Sequence, residues 1–163
     1  MNNTTQQMPL QMPGELMSSS LFLLKRLGMR AKEKSIEAYE ANGLHPYHHA
    51  ILAVIDQGER QTQGEIADAL GYDRGQLVGL LDELEDVGLV ERRRDPNDRR
   101  RHIVSMTPAG KKMLTKLRAV SARLNEEFLA ALDADEREQL HSLLLTLAGE
   151  HLPQCRFAAK PAG

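Results

Sequence analysis

The chain has 163 residues and a formal net charge of −2, with 41% hydrophobic and 27% charged residues, the balance of a globular domain that buries its own core. Its single cysteine, Cys155, rules out an internal disulfide framework and fits a reducing cytoplasm, a bridge between subunits staying open. No apolar run approaches membrane-spanning length, and the polar, uncharged first residues do not read as a signal peptide.

Residues 1–13 are polar, Gln-rich and broken by proline, and are expected to form a flexible arm. The helical spacing of Leu16, Met17, Leu21, Leu24, Leu27 and Ala31 predicts one helix over 14–41. Asn42-Gly43 stops it, because both residues tolerate the left-handed conformation past a helix end. His45-Pro46 opens a second helix carrying Ile51, Leu52, Val54 and Ile55. Thr62-x-x-Glu65 is a capping box for a short third helix that Gly71 ends. A fourth is expected from about Asp73 to Val87, with Leu77, Leu80, Leu81 and Leu84 as one buried stripe. Residues 89–94 and 101–106 read as strands joined by the turn Asp95-Pro96-Asn97-Asp98. Thr107-Pro108 caps a long fifth helix to about Leu132, Asp133-x-x-Glu136 starts a leucine-rich sixth, and the chain after Leu152 is expected to be loose.

Charge distribution says more than net charge. From Arg92 to Arg101 there are six arginines and two aspartates, a cationic cluster inside an acidic chain, and such patches mark nucleic-acid binders. Just before it, Ala67, Gly71 and Leu77 have the offsets of a helix-turn-helix: a small residue at the crossing, a positive-φ corner, and an aliphatic that packs the second helix back. A plain helical hairpin shares that spacing. A strand, an arginine-crowded turn and a returning strand then make a wing, although a solvated hairpin paired to distant acids is the simpler alternative. The fold class is thus mainly α, a winged helix-turn-helix of order α-α-α-α-β-β-α-α. Its DNA-binding domain is placed at 45–107, its helical dimerisation region at 14–44 and 108–152, and its flexible tail at 153–163. Leu21 to Leu24 and Leu143-Leu144-Leu145 exceed what one helix face can bury, which points to an apolar core between subunits.

Asp98-Arg99-Arg100-Arg101-His102-Ile103-Val104-Ser105-Met106-Thr107 resembles the wing signature of MarR-type transcription regulators, D-x-R followed by V-x-[LM]-T. Leu84-Glu85-x-x-Gly88-Leu89-Val90-Glu91-Arg92 is similar to the junction that precedes it. The likeness in element order spans 14–150. It implies a cytoplasmic bacterial or archaeal homodimer that binds double-stranded DNA at a near-palindromic operator as a repressor. The recognition helix would enter the major groove and the wing the minor groove. The resemblance makes Arg100 the minor-groove arginine and Asp98 its brace, holding an arginine at the wing base; a simple turn cap is the alternative for Asp98. Arg99 and Arg101, with Arg94, become neighbours of phosphates. Thr62 and Gln63 sit where a helix N-terminus would meet a phosphate. The recognition helix departs from the family pattern. In place of a Ser/Thr-rich opening it has Arg74-Gly75-Gln76-Leu77-Val78-Gly79. Gly75 and Gly79 fall opposite the leucine stripe, so the helix either approaches base edges closely, with Arg74 and Gln76 as polar readers, or tolerates a crowded crossing. Asp82, Glu83 and Asp86 would repel phosphates beyond its first half.

The resemblance also implies a small aromatic or phenolic effector, often anionic, for which Tyr39, Tyr47, His48 and His49 are candidate contacts. Histidines near Pro46 raise metal binding, but no paired Cys or carboxylate at ligand spacing accompanies them, and capping or surface roles explain them better. No cofactor is expected. The chain carries no phosphate loop, nucleophile elbow or HExxH pair, so an enzyme is not expected. The competing reading is a winged-helix module whose arginines meet an acidic protein partner.

Overall fold

The computed structural model describes residues 11–58 and 62–155; most of the expected arm and the end of the expected tail lie outside them. The chain divides after Lys34 into two compact units. Helices α1 (Gly14–Met17) and α2 (Ser20–Glu40) replace the single helix expected over 14–41. Serine chemistry makes the break. Ser18 Oγ donates to the Glu15 carbonyl at 2.8 Å, while Ser19 Oγ accepts from the Phe22 N–H at 3.2 Å. One hydroxyl closes the first turn and the other caps the second.

The larger unit takes in the end of α2, then α3 (Pro46–Asp56), α4 (Gln63–Leu70), α5 (Arg74–Asp86), β1 (Val90–Arg94), β2 (His102–Met106), α6 (Pro108–Phe128), α7 (Ala134–His151) and a 3-10 turn, Pro153–Cys155. Its order is that of a winged helix-turn-helix, and α6 stops at Phe128, short of Leu132. Thr62 and Asp133 close capping boxes with Glu65 and Glu136. Gly71 turns the corner between α4 and α5 at φ +66°, a conformation that favours glycine. The tail is ordered further than expected: Gln154 packs on that corner, where a Cβ at Gly71 would overlap its amide. Among the described residues no helix is long and apolar enough to cross a membrane.

The core joins Ile51 and Leu52 of α3, Ile66 and Ala67 of α4, Leu77, Leu81 and Leu84 of α5, Val90 and Val104 of the hairpin, and Leu114 and Leu117 of α6. By contrast α7 buries none of its side chains; Leu143, Leu144, Leu145 and Leu147 are all exposed.

The hairpin is antiparallel, pairing Val90 with Met106 and Arg94 with His102. An isolated bridge from Ile103 to Thr62 adds the entry of α4 as a third edge. At its other end the hairpin runs straight into α6. The Thr107 N–H donates to the Leu89 carbonyl at 3.1 Å, and Thr107 Oγ donates to the Gly88 carbonyl at 2.7 Å while accepting from the Gly110 N–H at 3.0 Å. This junction leaves no room beside Gly110, where a Cβ would collide with the Leu89 carbonyl oxygen and the Met106 side chain. Gly110→Ala is therefore expected to cost about 1–3 kcal/mol through overpacking, measured by urea unfolding; an unchanged midpoint would show that the junction can spread.

Candidate nucleic-acid interface

Three elements meet on one face: the start of α4, the first turns of α5 and the base of the wing. They line a cleft of about 500 Å³ that includes Thr62, Gln63, Arg74, Val78, Arg100 and His102. Thr62 is fixed twice, by its bridge to Ile103 and by its capping box, in which its Oγ accepts from the Glu65 N–H at 3.3 Å and its own N–H donates to Glu65 Oε2 at 2.9 Å. Arg74 folds back across the start of α4, its guanidinium in ordinary contact distance of a Cβ placed on Gly64.

The wing arginines separate into two sets. Arg92 is structural. Its backbone N–H and Nε donate to the Glu85 carboxylate, both at 3.0 Å, and Nη2 reaches Glu85 at 2.5 Å and also Asp82. The hydrogen bond from Arg92 holds the Glu85 carboxyl below the usual carboxylate range. Arg93 pairs with Glu91 on its own strand at 3.1 Å. Arg101, half exposed, lies 3.5 Å from Glu65. Arg94, Arg99 and Arg100 are exposed, and among the described residues their side chains enter no ion pair. The free cations thus sit at the tip and along one edge.

The tip itself is built from aspartate turns. Asp95 Oδ1 accepts from the Asn97 N–H at 2.8 Å, and Asp98 Oδ1 from the Arg100 N–H at 3.0 Å. Asp98 therefore grips the backbone of Arg100, the turn-cap role, and not an arginine side chain.

Helix α5 begins at Asp73, whose Oδ1 accepts from the N–H groups of Gly75 and Gln76 at 2.9 and 3.1 Å. Gly75, Gln76, Val78 and Gly79 are exposed. Among the acids further along, Asp82 and Glu85 share Arg92, and Glu83 faces the buried His48. Their repulsion of phosphates is correspondingly smaller than the bare sequence implies.

Of the four candidate effector contacts, Tyr39 and His49 pair with each other, while Tyr47 and His48 make other contacts. Tyr39, 4% exposed, places its hydroxyl 2.6 Å from His49 Nδ1. Burial raises the Tyr39 pKa and lowers that of His49, which Arg118 lowers further. The hydroxyl and the imidazole nitrogen share one hydrogen bond, whose donor is set by the imidazole tautomer. Ser121 hydrogen-bonds Tyr39, and Arg118 binds Asp56 at 2.8 Å; both lie on α6, too distant in sequence for local spacing to connect them. Tyr47 stands apart, edge-on to Tyr72 at 5.3 Å. His48 caps α3: its Nδ1 accepts from the His45 N–H at 3.0 Å, and its buried Nε2 faces Glu83 at 2.8 Å, close but poorly aligned for a hydrogen bond. Among the described residues no group of three or more His, Cys, Asp or Glu could hold a metal ion.

A winged helix-turn-helix whose unpaired arginines crown the hairpin beside an open helix face defines a DNA-binding regulator. The MarR family profile matches residues 42–101. A transcriptional regulatory protein assigned to the hcr operon of Thauera aromatica is 34% identical over 105 residues, 64% of this chain and 63% of that protein, so the match spans a little under two thirds of it. The transcriptional repressor CouR, solved bound to a 23-mer DNA duplex, is 34% identical, with a TM-score of 0.77 over 86% of this chain and 99% of its own. The PcaV regulator of Streptomyces coelicolor, solved with its natural ligand, is 25% identical, with a TM-score of 0.68 over 82% and 94%. The chain belongs to the MarR family of transcription regulators.

Two outcomes test this geometry. A double-mutant cycle between Arg92→Met and Glu85→Gln should give a coupling of about 0.5–1 kcal/mol in unfolding free energy; additive effects would show that the pair is incidental. His48 and His49 have lowered pKa values when folded, chiefly through burial, so the unfolded chain takes up protons first as pH falls below about 6.5. Stability is full above that pH and declines below it. His48→Gln, which keeps an acceptor for the cap, should shallow the decline measured between pH 7.5 and 5.5, and an unaltered slope would exclude His48 as a source.

Proposed function

We propose that the protein is a homodimeric, sequence-specific repressor of transcription that binds a near-palindromic operator in double-stranded DNA. The observation that carries this reading is the division of the wing arginines. Internal acids hold Arg92, Arg93 and Arg101, while Arg94, Arg99 and Arg100 stand exposed at the tip and edge. Weakly hydrated guanidinium groups suit the strong negative potential of a narrow minor groove. Arg100 is placed there, Arg94 and Arg99 at the flanking phosphates, and the first half of α5 in the major groove. Gln63 and the cap of α4 complete the backbone contacts. CouR, 34% identical, is solved bound to a DNA duplex, which supports DNA as the partner.

Dimerisation rests on residues 14–44 and 108–152. The exposed leucines of α7 and Leu21, Leu24 and Leu27 of α2 form more apolar surface than a monomer ordinarily leaves open. An effector, if aromatic and anionic, suits the neighbourhood of Tyr39 and His49, where Arg118 supplies a cation and Ser121 a hydroxyl. A regulator of this kind works in the cytoplasm.

One titration tests the reading. The full chain, added to duplex from its own upstream region, should bind as two chains per duplex, with affinity falling steeply as salt rises through counterion release. Arg100→Ala should weaken binding by about 1–3 kcal/mol, and one member of a panel of phenolic acids should release the wild-type complex. Equal affinity for random duplex would favour a protein-interaction module, and one chain per duplex would overturn the dimer.

A further inference from the structure

Gly75 and Gly79 are interior positions of the recognition helix, where glycine is less favourable than alanine because it orders more backbone and packs nothing. Two ordinary reasons for such a glycine fail here. Neither residue has a positive φ. A Cβ at Gly79 would meet nothing within 4 Å, so no helix crossing requires the gap. A Cβ at Gly75 would meet only an Asp73 carboxylate oxygen of its own cap, at 3.1 Å. The reading of a crowded crossing, left open by the sequence, is thereby removed. Gly75 leaves room for the cap made by Asp73, while nothing among the described residues calls for Gly79.

With about 100° between successive residues of a helix, Gly75 and Gly79 run down the side opposite the buried Leu77, Leu81 and Leu84. Gln76 flanks this strip on one side and Val78 on the other, on the side of the cleft that leads to the wing. Val78 is 38% exposed, an apolar side chain standing at the rim of a polar cleft. The result is a shallow backbone channel with methyl groups along one wall. In the major groove the protruding apolar feature of a base edge is the C5-methyl group of thymine, and aliphatic contact is how proteins read it.

We propose that Gly75, Val78 and Gly79 form a methyl-reading strip that selects thymine in each operator half-site, the glycines admitting the methyl group and Val78 packing against it. This rests on the operator-binding reading above and adds the base that α5 prefers.

The test uses the full chain and a duplex selected by it from a random-sequence library, prepared with thymine or with deoxyuridine in the half-sites. Removing the methyl group should weaken wild-type binding about fourfold per contact, from the usual free energy of burying one such group. Gly79→Ala should raise the melting temperature of the free protein, weaken binding to the thymine duplex and narrow the difference between the two duplexes. Equal wild-type affinity for both duplexes, with binding still sensitive to Arg100→Ala, overturns the strip while leaving operator binding intact. Failure to bind any duplex overturns the reading beneath it. A Gly79→Ala protein that melts lower, or binds as well as wild type, shows that the glycine does not serve the methyl group.

Discussion

The interface depends on one buried-edge ion pair. Arg92 leaves the first wing strand and clamps Glu85, with Asp82, on the recognition helix. Helix α5 and the first wing strand are thereby fixed to each other by hydrogen bonds with direction, not by apolar contact alone. The clamp uses both the backbone N–H and the side chain of Arg92, so strand register and helix position are set by one residue. Thr62, bridged to Ile103, does the same for the entry of α4. The face made by α4, α5 and the wing is in this sense tied together at two points.

The clamp also reallocates charge. Acids on α5 would oppose a phosphate backbone if left in solvent. Asp82 and Glu85 share Arg92, the least exposed of the wing arginines with an ion pair. The arginines left over stand exposed at the tip and edge. A locally acidic helix and a locally cationic hairpin thus combine into a surface whose unpaired charge is positive at the wing.

Local chemistry was the legible part of the sequence. Thr62 with Glu65, Asp133 with Glu136, Gly71 and Thr107 each announce a helix end through groups within four residues, and each stands where the pattern placed it. The serine break before α2 was equally local but lay inside an apolar periodicity strong enough to hide it. The long-range roles were not legible. Arg92 and Arg100 look alike in a run of arginines, and only the approach of α5 distinguishes the clamped Arg92 from the exposed Arg100. Gly110 reads as an unremarkable residue in a first turn until Leu89 folds onto it. The same limit scattered the effector candidates, since Arg118 and Ser121 reach Tyr39 and His49 from a helix far along the chain.

The aspartate turns of the wing have a consequence for entropy. Residues 95–101 are held by Asp95 and Asp98 to their own backbone, and the Asp95 N–H and Arg101 carbonyl close the loop at 3.0 Å. Ordering seven such residues only on contact with a ligand would cost roughly 1 kcal/mol or more apiece. Here that loss is incurred when the protein folds. What remains to be immobilised is the rotamer freedom of the unpaired arginines, about 0.5–1.5 kcal/mol each. The wing meets its target as a preset platform with movable fingers, and its backbone makes little further demand on affinity.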